Sequence, residues 1–273
     1  MLGCAAAVAG SGAAVAAVTP LQQSQQPIVN FAFASQLGAG VYSIDGRSVQ
    51  IYRLPFDWEL RPPTEERVGV DIILPVTLGF YGYRVQDVVE KGLPGHVDTY
   101  SILPGLEISR LFGPQWRLAA FGQAGVTTVP SDSSTNLIYA SGLRARYEFR
   151  LGEFHMRYAA ELLYAGSRVV HRTDETMLRL SNGLDALRHT RMSIRGVTVD
   201  CGPYVLNEWY IKRPDAPVDA PGPAMSAEQW EVGVTAGTVS PVYVWKIPVP
   251  RIGLGYRFGR DLSVVRLVFG AAF

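Results

Sequence analysis

Residues Asn136 to Ala165, NLIYASGLRARYEFRLGEFHMRYAAELLYA, constrain this chain more than any other stretch. They divide into two arms about Leu151-Gly152, and each arm alternates. In the first, Tyr139, Leu143, Ala145, Tyr147 and Phe149 share a face opposite Gly142, Arg144, Arg146, Glu148 and Arg150. In the second, Phe154, Met156, Tyr158, Ala160, Leu162 and Tyr164 oppose Glu153, His155, Arg157 and Glu161. A side-chain period of two belongs to β-strands, because a helix would scatter both sets around its surface. A two-residue turn at Leu151-Gly152 predicts Arg150 opposite Glu153, Glu148 opposite His155 and Phe149 opposite Phe154, so that like meets like across the hairpin. Tyr139 and Tyr164 close the open end of the apolar face, and Tyr147 lies nearer the turn. Aromatic rings at both ends of an apolar strand face, with charge behind it, are the pattern of a lipid-facing strand pair in a membrane β-barrel. A long hairpin of a soluble β-sandwich is the competing reading.

Composition agrees with a barrel and argues against other classes. The 25 Lys+Arg nearly balance 24 Asp+Glu, which gives no pull toward nucleic acid. Mean hydropathy is +0.10, apolar for a soluble domain and polar for a membrane helix bundle. A barrel hides its apolar residues by alternation, so an intermediate average is expected of it. Beyond the N-terminus no uncharged apolar run approaches the roughly 20 residues of a spanning helix.

Read in order, Leu2 to Val18 is uncharged and rich in Ala, Val and Gly, with Ala14-Val15-Ala16 as a small-x-small site. This reads as the apolar core and cleavage site of a secretory signal over residues 1–16, followed by a leader over 17–27 and a barrel over 28–273. The first charged residue is Asp45, so the basic segment expected of a signal is missing and a start further upstream is predicted. Cleavage would remove Cys4 and leave Cys201 a lone thiol without assigned chemistry. Alternating strands are then expected around Phe31 to Ser35, Arg47 to Leu54, Val68 to Tyr83, Tyr100 to Arg110 and Trp116 to Thr127. After the central hairpin come Arg191 to Asp200, Tyr204 to Lys212, Trp230 to Ala236, Ile252 to Phe258 and Val265 to Phe273. Pro75 inside its strand predicts a bulge or irregular pairing. The total is about twelve strands, an even number as in single-chain bacterial barrels. Tight turns are expected near Gly113, at Leu151-Gly152 and at the DCGP run around Gly202, with longer links at 85–97, 129–135, 168–190 and 213–227. Short turns would face the periplasm and long loops the outside. Ser240 to Pro248 is too long for that alternation and Gly259-Arg260-Asp261 too short. Met177, Leu180, Leu184 and Leu187 have helical spacing, so the 168–190 loop is expected to carry a short helix.

The chain ends on Phe273, in line with Phe269 on the apolar face of the last strand. FAFASQLGAGVYSIDGRSVQIYRLPF (31–56), LPVTLGFYGY (74–83), LPGLE (103–107), WRLAAFGQAGV (116–126) and LVFGAAF (267–273) together resemble the solitary outer-membrane autotransporter-type β-barrel domain family. The resemblance covers most of the chain after the signal. It implies a twelve-stranded all-β, transmembrane antiparallel barrel in the outer membrane of a Gram-negative cell. It also implies outer-membrane lipid and the barrel assembly machinery as partners, with Phe269 and Phe273 as the assembly signal. It brings no catalytic residues. Only about ten residues lie between the presumed cleavage site and the first strand, which leaves no room for a secreted passenger.

The candidate site is the charged ladder Arg144, Arg146, Glu148, Arg150, Glu153, His155, Arg157 and Glu161 on the lumen face. It either lines a selective, porin-like pore or plugs a narrow barrel by cross-strand pairing. Its alternating signs favour the plug, since a pore selective for one sign of ion should show one sign of charge. An enzymatic alternative is a lipid-ester hydrolase using His189 and Ser193, four residues apart and without a Gly-x-Ser-x-Gly elbow. His155 beside Glu148 is a possible general base, His171 flanks the long loop, and His96 reads as a surface residue. Neither a phosphate-binding glycine loop nor Cys/His metal spacing is present, so no cofactor and no metal are expected. The favoured function is a non-enzymatic structural barrel or small pore, and a soluble periplasmic barrel is the remaining alternative.

Overall fold

The computed structural model describes residues 40–44, 47–81, 97–130, 134–168, 175–194, 196–213, 227–238, 242–244, 247–249, 251–260 and 262–269. Its strands are β1 (Gly40–Ile44), β2 (Arg47–Arg61), β3 (Gly69–Tyr81), β4 (Thr99–Ile102), β5 (Gly105–Phe112), β6 (Trp116–Val129), β7 (Ser134–Leu151) and β8 (Phe154–Arg168). There follow β9 (Glu175–Ile194), β10 (Val197–Lys212), β11 (Glu228–Thr238), β12 (Val242–Val244), β13 (Ile247–Val249), β14 (Ile252–Gly259) and β15 (Leu262–Phe269). All pairings are antiparallel and nearly all join neighbours in sequence. The ladder runs from β3 through β5, β6, β7, β8, β9, β10, β11, β14 and β15 to β1, then through β2 back to β3, so the pairings form a ring. β12 and β13 form a separate small hairpin in the link that the sequence marked as too long.

Thirteen strands share this sheet, but β4 and β5 occupy one position between β3 and β6, which makes the barrel twelve-stranded. The expected strand from Tyr100 to Arg110 is broken at Leu103-Pro104. Pro75 on β3 accepts a hydrogen bond from Leu103 N at 3.2 Å but has no N–H to return, and Pro104 likewise accepts from Ala124 N without donating. The irregular pairing expected at Pro75 is therefore located here, with β5 pairing before it and β4 after it.

Both sheet faces follow the alternation, with the usual polarity inverted. Val234 and Leu143 are each 59% exposed, whereas Arg257 and Glu231 are each 1% exposed. A soluble fold buries its large apolar side chains and solvates its charges. The outward rings form two bands. Trp58, Phe112, Trp116, Tyr147, Phe149 and Phe154 lie toward the end with the tight turns. Tyr100, Tyr139, Tyr164, Trp209, Trp230 and Phe258 lie toward the other end. Trp116 and Tyr147 are 4.7 Å apart at one band, and Tyr139 and Tyr164 6.2 Å apart at the other. From Phe154 to Tyr164 on β8, ten rises of about 3.3 Å at a tilt of about 40° span about 25 Å, the height of a barrel's apolar band.

Several local expectations need correction. The β7–β8 turn is Gly152-Glu153, with Gly152 at φ 59°, so Leu151 pairs with Phe154 and Arg150 with His155. The register differs from the expected one by an even number, so every face assignment stands while every cross-strand partner changes. The DCGP run is no turn: Cys201 to Pro203 sit inside β10, and a Cβ on Gly202 would lie 1.8 Å from the Ala186 carbonyl oxygen. The turn is at Gly196, with φ 80°. Met177 to Leu187 is not helical but the middle of β9, with Met177, Arg179, Ser181, Gly183, Asp185 and Leu187 inward. Leucines on both faces imitated a helical stripe. Residues 175–190 of the expected 168–190 loop belong to β9, and 134–135 of the expected 129–135 link to β7. The signal, the leader, the strand at Phe31 to Ser35, the body of the 85–97 and 213–227 links, and Phe273 lie outside the described residues. Phe269 ends β15.

Candidate functional site: a belt of ion pairs in the lumen

Ten inward side chains from ten strands join into one chain of contacts. Asp71 (β3) accepts from Arg117 (β6) at 2.8 Å, and Arg117 approaches Glu107 (β5) at 3.8 Å. Glu107 accepts from Arg144 (β7) at 2.5 Å, and Arg144 donates to Glu161 (β8) at 2.7 Å. Arg179 (β9) links Glu161 at 2.9 Å to Glu208 (β10) at 3.1 Å. Arg257 (β14) bridges Glu208 at 2.6 Å and Glu231 (β11) at 2.8 Å, and Arg266 (β15) also pairs with Glu231. Five arginines thus alternate with five carboxylates, and the belt is neutral. Register explains much of it: Arg144 stands opposite Glu161 and Glu231 opposite Arg257, while Asp71 opposite Glu107 leaves two like charges for Arg117 to bridge.

Neighbours hold the belt in place. The Arg144 guanidinium lies 4.1 Å from the Phe121 ring centroid, and Tyr204 donates to Glu231 at 2.6 Å. The Tyr204 ring lies over Gly233 and Gly255, where an added Cβ would meet it at 2.6 and 2.1 Å. On the open-end side of the belt Ile73, Leu103, Phe121, Ile138, Leu163, Met177 and Tyr210 form a buried apolar cluster inside the barrel. Charge and hydrocarbon are thus layered in the lumen as in a domain core.

Only part of the expected ladder belongs here. Arg144 and Glu161 are in the belt, and Arg157 pairs beneath it with the fully buried Asp185. Arg146 is inward and half-buried. The rest stands at the tight-turn mouth. Glu148 and His155 approach to 3.4 Å with both side chains 43% exposed, Arg150 is exposed opposite His155, and Glu153 reaches Arg188 at the rim. His189 hydrogen-bonds Asp200, while Ser193 stands opposite Thr198 across a register shift, so the supposed catalytic pair is not assembled. Cys201 is exposed on the outward face of β10. The sequence reading passed over Asp71, Glu107, Arg117, Arg179, Asp185, Glu208, Glu231, Arg257 and Arg266. Their signal was available: each is a charge on the inward phase of a strand, as Glu231 is between Trp230 and Val232, or Arg257 between Tyr256 and Phe258.

No family model matches the chain, and no curated protein matches it. Among solved structures, the β domain of the Bordetella autotransporter BrkA is similar to it, with 13% sequence identity, a TM-score of 0.46 and coverage of 84% of this chain and 93% of that one.

Proposed function

We propose that the chain is an integral outer-membrane β-barrel of autotransporter type, non-enzymatic, whose lumen is filled by paired charge rather than kept as an open selective pore. The observation that carries this reading is the inversion of burial. Large apolar side chains and two aromatic bands face outward over about 25 Å, while arginines and glutamates are among the most deeply buried groups. A chain that folds in water has no reason to arrange its surface so. The neutral belt and the apolar cluster beside it support a structural role, because an ion-selective lining needs an excess of one charge at the constriction. His189 and Ser193 stand four residues apart along β9, opposite Asp200 and Thr198 on either side of a register shift, a separation that favours a non-enzymatic barrel over the lipid-ester hydrolase. Outer-membrane lipid and the barrel assembly machinery are its partners in this reading.

The test is cell fractionation with heat-dependent gel mobility, followed by planar-bilayer recording. The reading expects outer-membrane recovery, a compact band that shifts on boiling, and no conductance from the wild type. Steady conductance would replace the filled barrel with a small pore. A soluble product without a heat shift would overturn the membrane assignment.

A further inference from the structure

The outward wall of the barrel carries an amide that its own fold leaves half satisfied. On β9 the outward side chains are Leu178, Leu180, Asn182, Leu184 and Ala186, so one amide interrupts a row of hydrocarbon. Asn182 stands opposite Ala160 on β8, and Ala160 lies four residues from Tyr164 of one aromatic band and six from Phe154 of the other. Arg188 at the tight-turn rim is six residues further along β9. Six rises of about 3.3 Å at a tilt of about 40° put the amide about 15 Å from that rim, inside the apolar band. On β6 to β9 the other outward side chains between the bands are apolar, apart from the hydroxyls of Ser141 and Tyr158. The Tyr158 hydroxyl donates to Asn182 Oδ1 at 2.9 Å, and no described residue accepts from Asn182 Nδ2. Directly opposite on β10 is a second outward amide, Asn207. Its Nδ2 donates to Glu228 Oε1 at 3.1 Å and to the Gln229 carbonyl at 3.4 Å, and no described residue donates to its Oδ1.

We propose that the outer wall of β8 to β10 is a self-association surface, on which a second copy of this chain docks about a two-fold axis along the membrane normal, with Asn182 of each copy donating to Asn207 of the other. An acyl chain offers an amide nothing, and an N–H without an acceptor is costly in hydrocarbon. Here an unused donor and an unused acceptor lie side by side on neighbouring strands, and a two-fold rotation satisfies both of them twice over. Amide side chains join membrane helices by the same hydrogen bonds. The rims of this wall carry both signs of charge, Arg188 with Glu153 at one end and Lys212 and Glu228 at the other, so the rotation sets opposite charges within reach. The proposal rests on this wall facing lipid, as in the reading above, and not on whether the lumen conducts.

The experiment measures the monomer–dimer equilibrium of the purified barrel by sedimentation equilibrium in a neutral detergent, with heat-dependent gel mobility read on the same sample. The wild type should dimerise. Asn182→Leu should weaken association about tenfold or more while keeping the compact band. Asn182→Gln should keep part of the association, and Ser141→Ala, outward on β7 and outside the wall, should keep all of it. Cross-linking in phospholipid vesicles, on a Cys201→Ser background, tests the wall without altering either amide. There Leu184→Cys, beside Asn182 on the same face, should join two copies through a short bis-maleimide, and Leu254→Cys on β14 should not. A compact band that stays monomeric, a dimer that Asn182→Leu leaves intact, or cross-linking at Leu254→Cys and not at Leu184→Cys overturns the interface alone. A wild type that forms no compact band overturns the membrane barrel and the interface together.

Discussion

The belt and the tight-turn mouth are written in the same letters. Both pair arginines with carboxylates from neighbouring strands, yet their environments differ. Arg257 and Glu231 pair with side chains 2% and 1% exposed, whereas Glu153 and Arg188 pair at 72% and 57%. Exposed pairs exchange one well-solvated state for another and contribute little. A buried carboxylate with three partners has no such alternative, and removing it strands those partners without water. The comparison teaches that depth in the lumen, rather than the sign pattern, decides which charges matter.

The sharpest way to break this comparison is Glu231→Ala, which leaves Arg257, Arg266 and Tyr204 without their shared acceptor. It should cost about 3–5 kcal/mol in a urea titration of the barrel reconstituted in lipid. A loss near that of a surface pair would put the belt in the same class as the mouth. On the same strand Val234→Arg tests the outer face. It should cost about 2–4 kcal/mol in the same titration if Val234 meets the middle of the bilayer. An unchanged midpoint would mean that this face meets water. Gly255→Ala drives a methyl into the Tyr204 hydroxyl and should cost about 1–3 kcal/mol by overpacking. The paired Gly255→Ala, Tyr204→Phe variant should recover part of the loss, and failure to recover any would show that the ring is not the obstacle. Smallest of all, Glu153→Ala at the rim should change stability by about 0–1 kcal/mol. A larger effect there would erase the distinction between rim and belt.

Much of the fold was legible because lipid outside and charge inside leave a period-two trace in nearly every strand. Trp116, Leu118 and Ala120 against Arg117, Phe121 and Gln123 is one case, with each set on its expected side. What escaped were features that alternation does not encode. In β9, Leu180 and Leu184 face outward while Met177 joins the interior apolar cluster and Leu187 is buried nearer the tight turns, so hydrophobicity alone could not separate the walls. In β10, Gly202 beside Pro203 reads as a turn, although the glycine is needed because the Ala186 carbonyl comes too close for a Cβ. The site was half legible. The charge-dense hairpin drew attention to Glu148, Arg150 and Glu153 at the mouth, while the deeper belt is assembled from single charges scattered over ten strands and becomes visible only when the ring closes.

The hairpin register has one more consequence. A slip of two residues between β7 and β8 would keep every apolar residue toward lipid, so the bilayer itself could not detect the error. The charges can. In the observed register Glu148 faces Arg157 and Arg144 faces Glu161. A slip one way sets Arg146 against Arg157, and a slip the other way sets Arg150 against Arg157, each a direct clash of like charge. Arg157 therefore works as a check digit for assembly: misaligned copies of the hairpin carry their own penalty, and only the aligned copy reads as neutral.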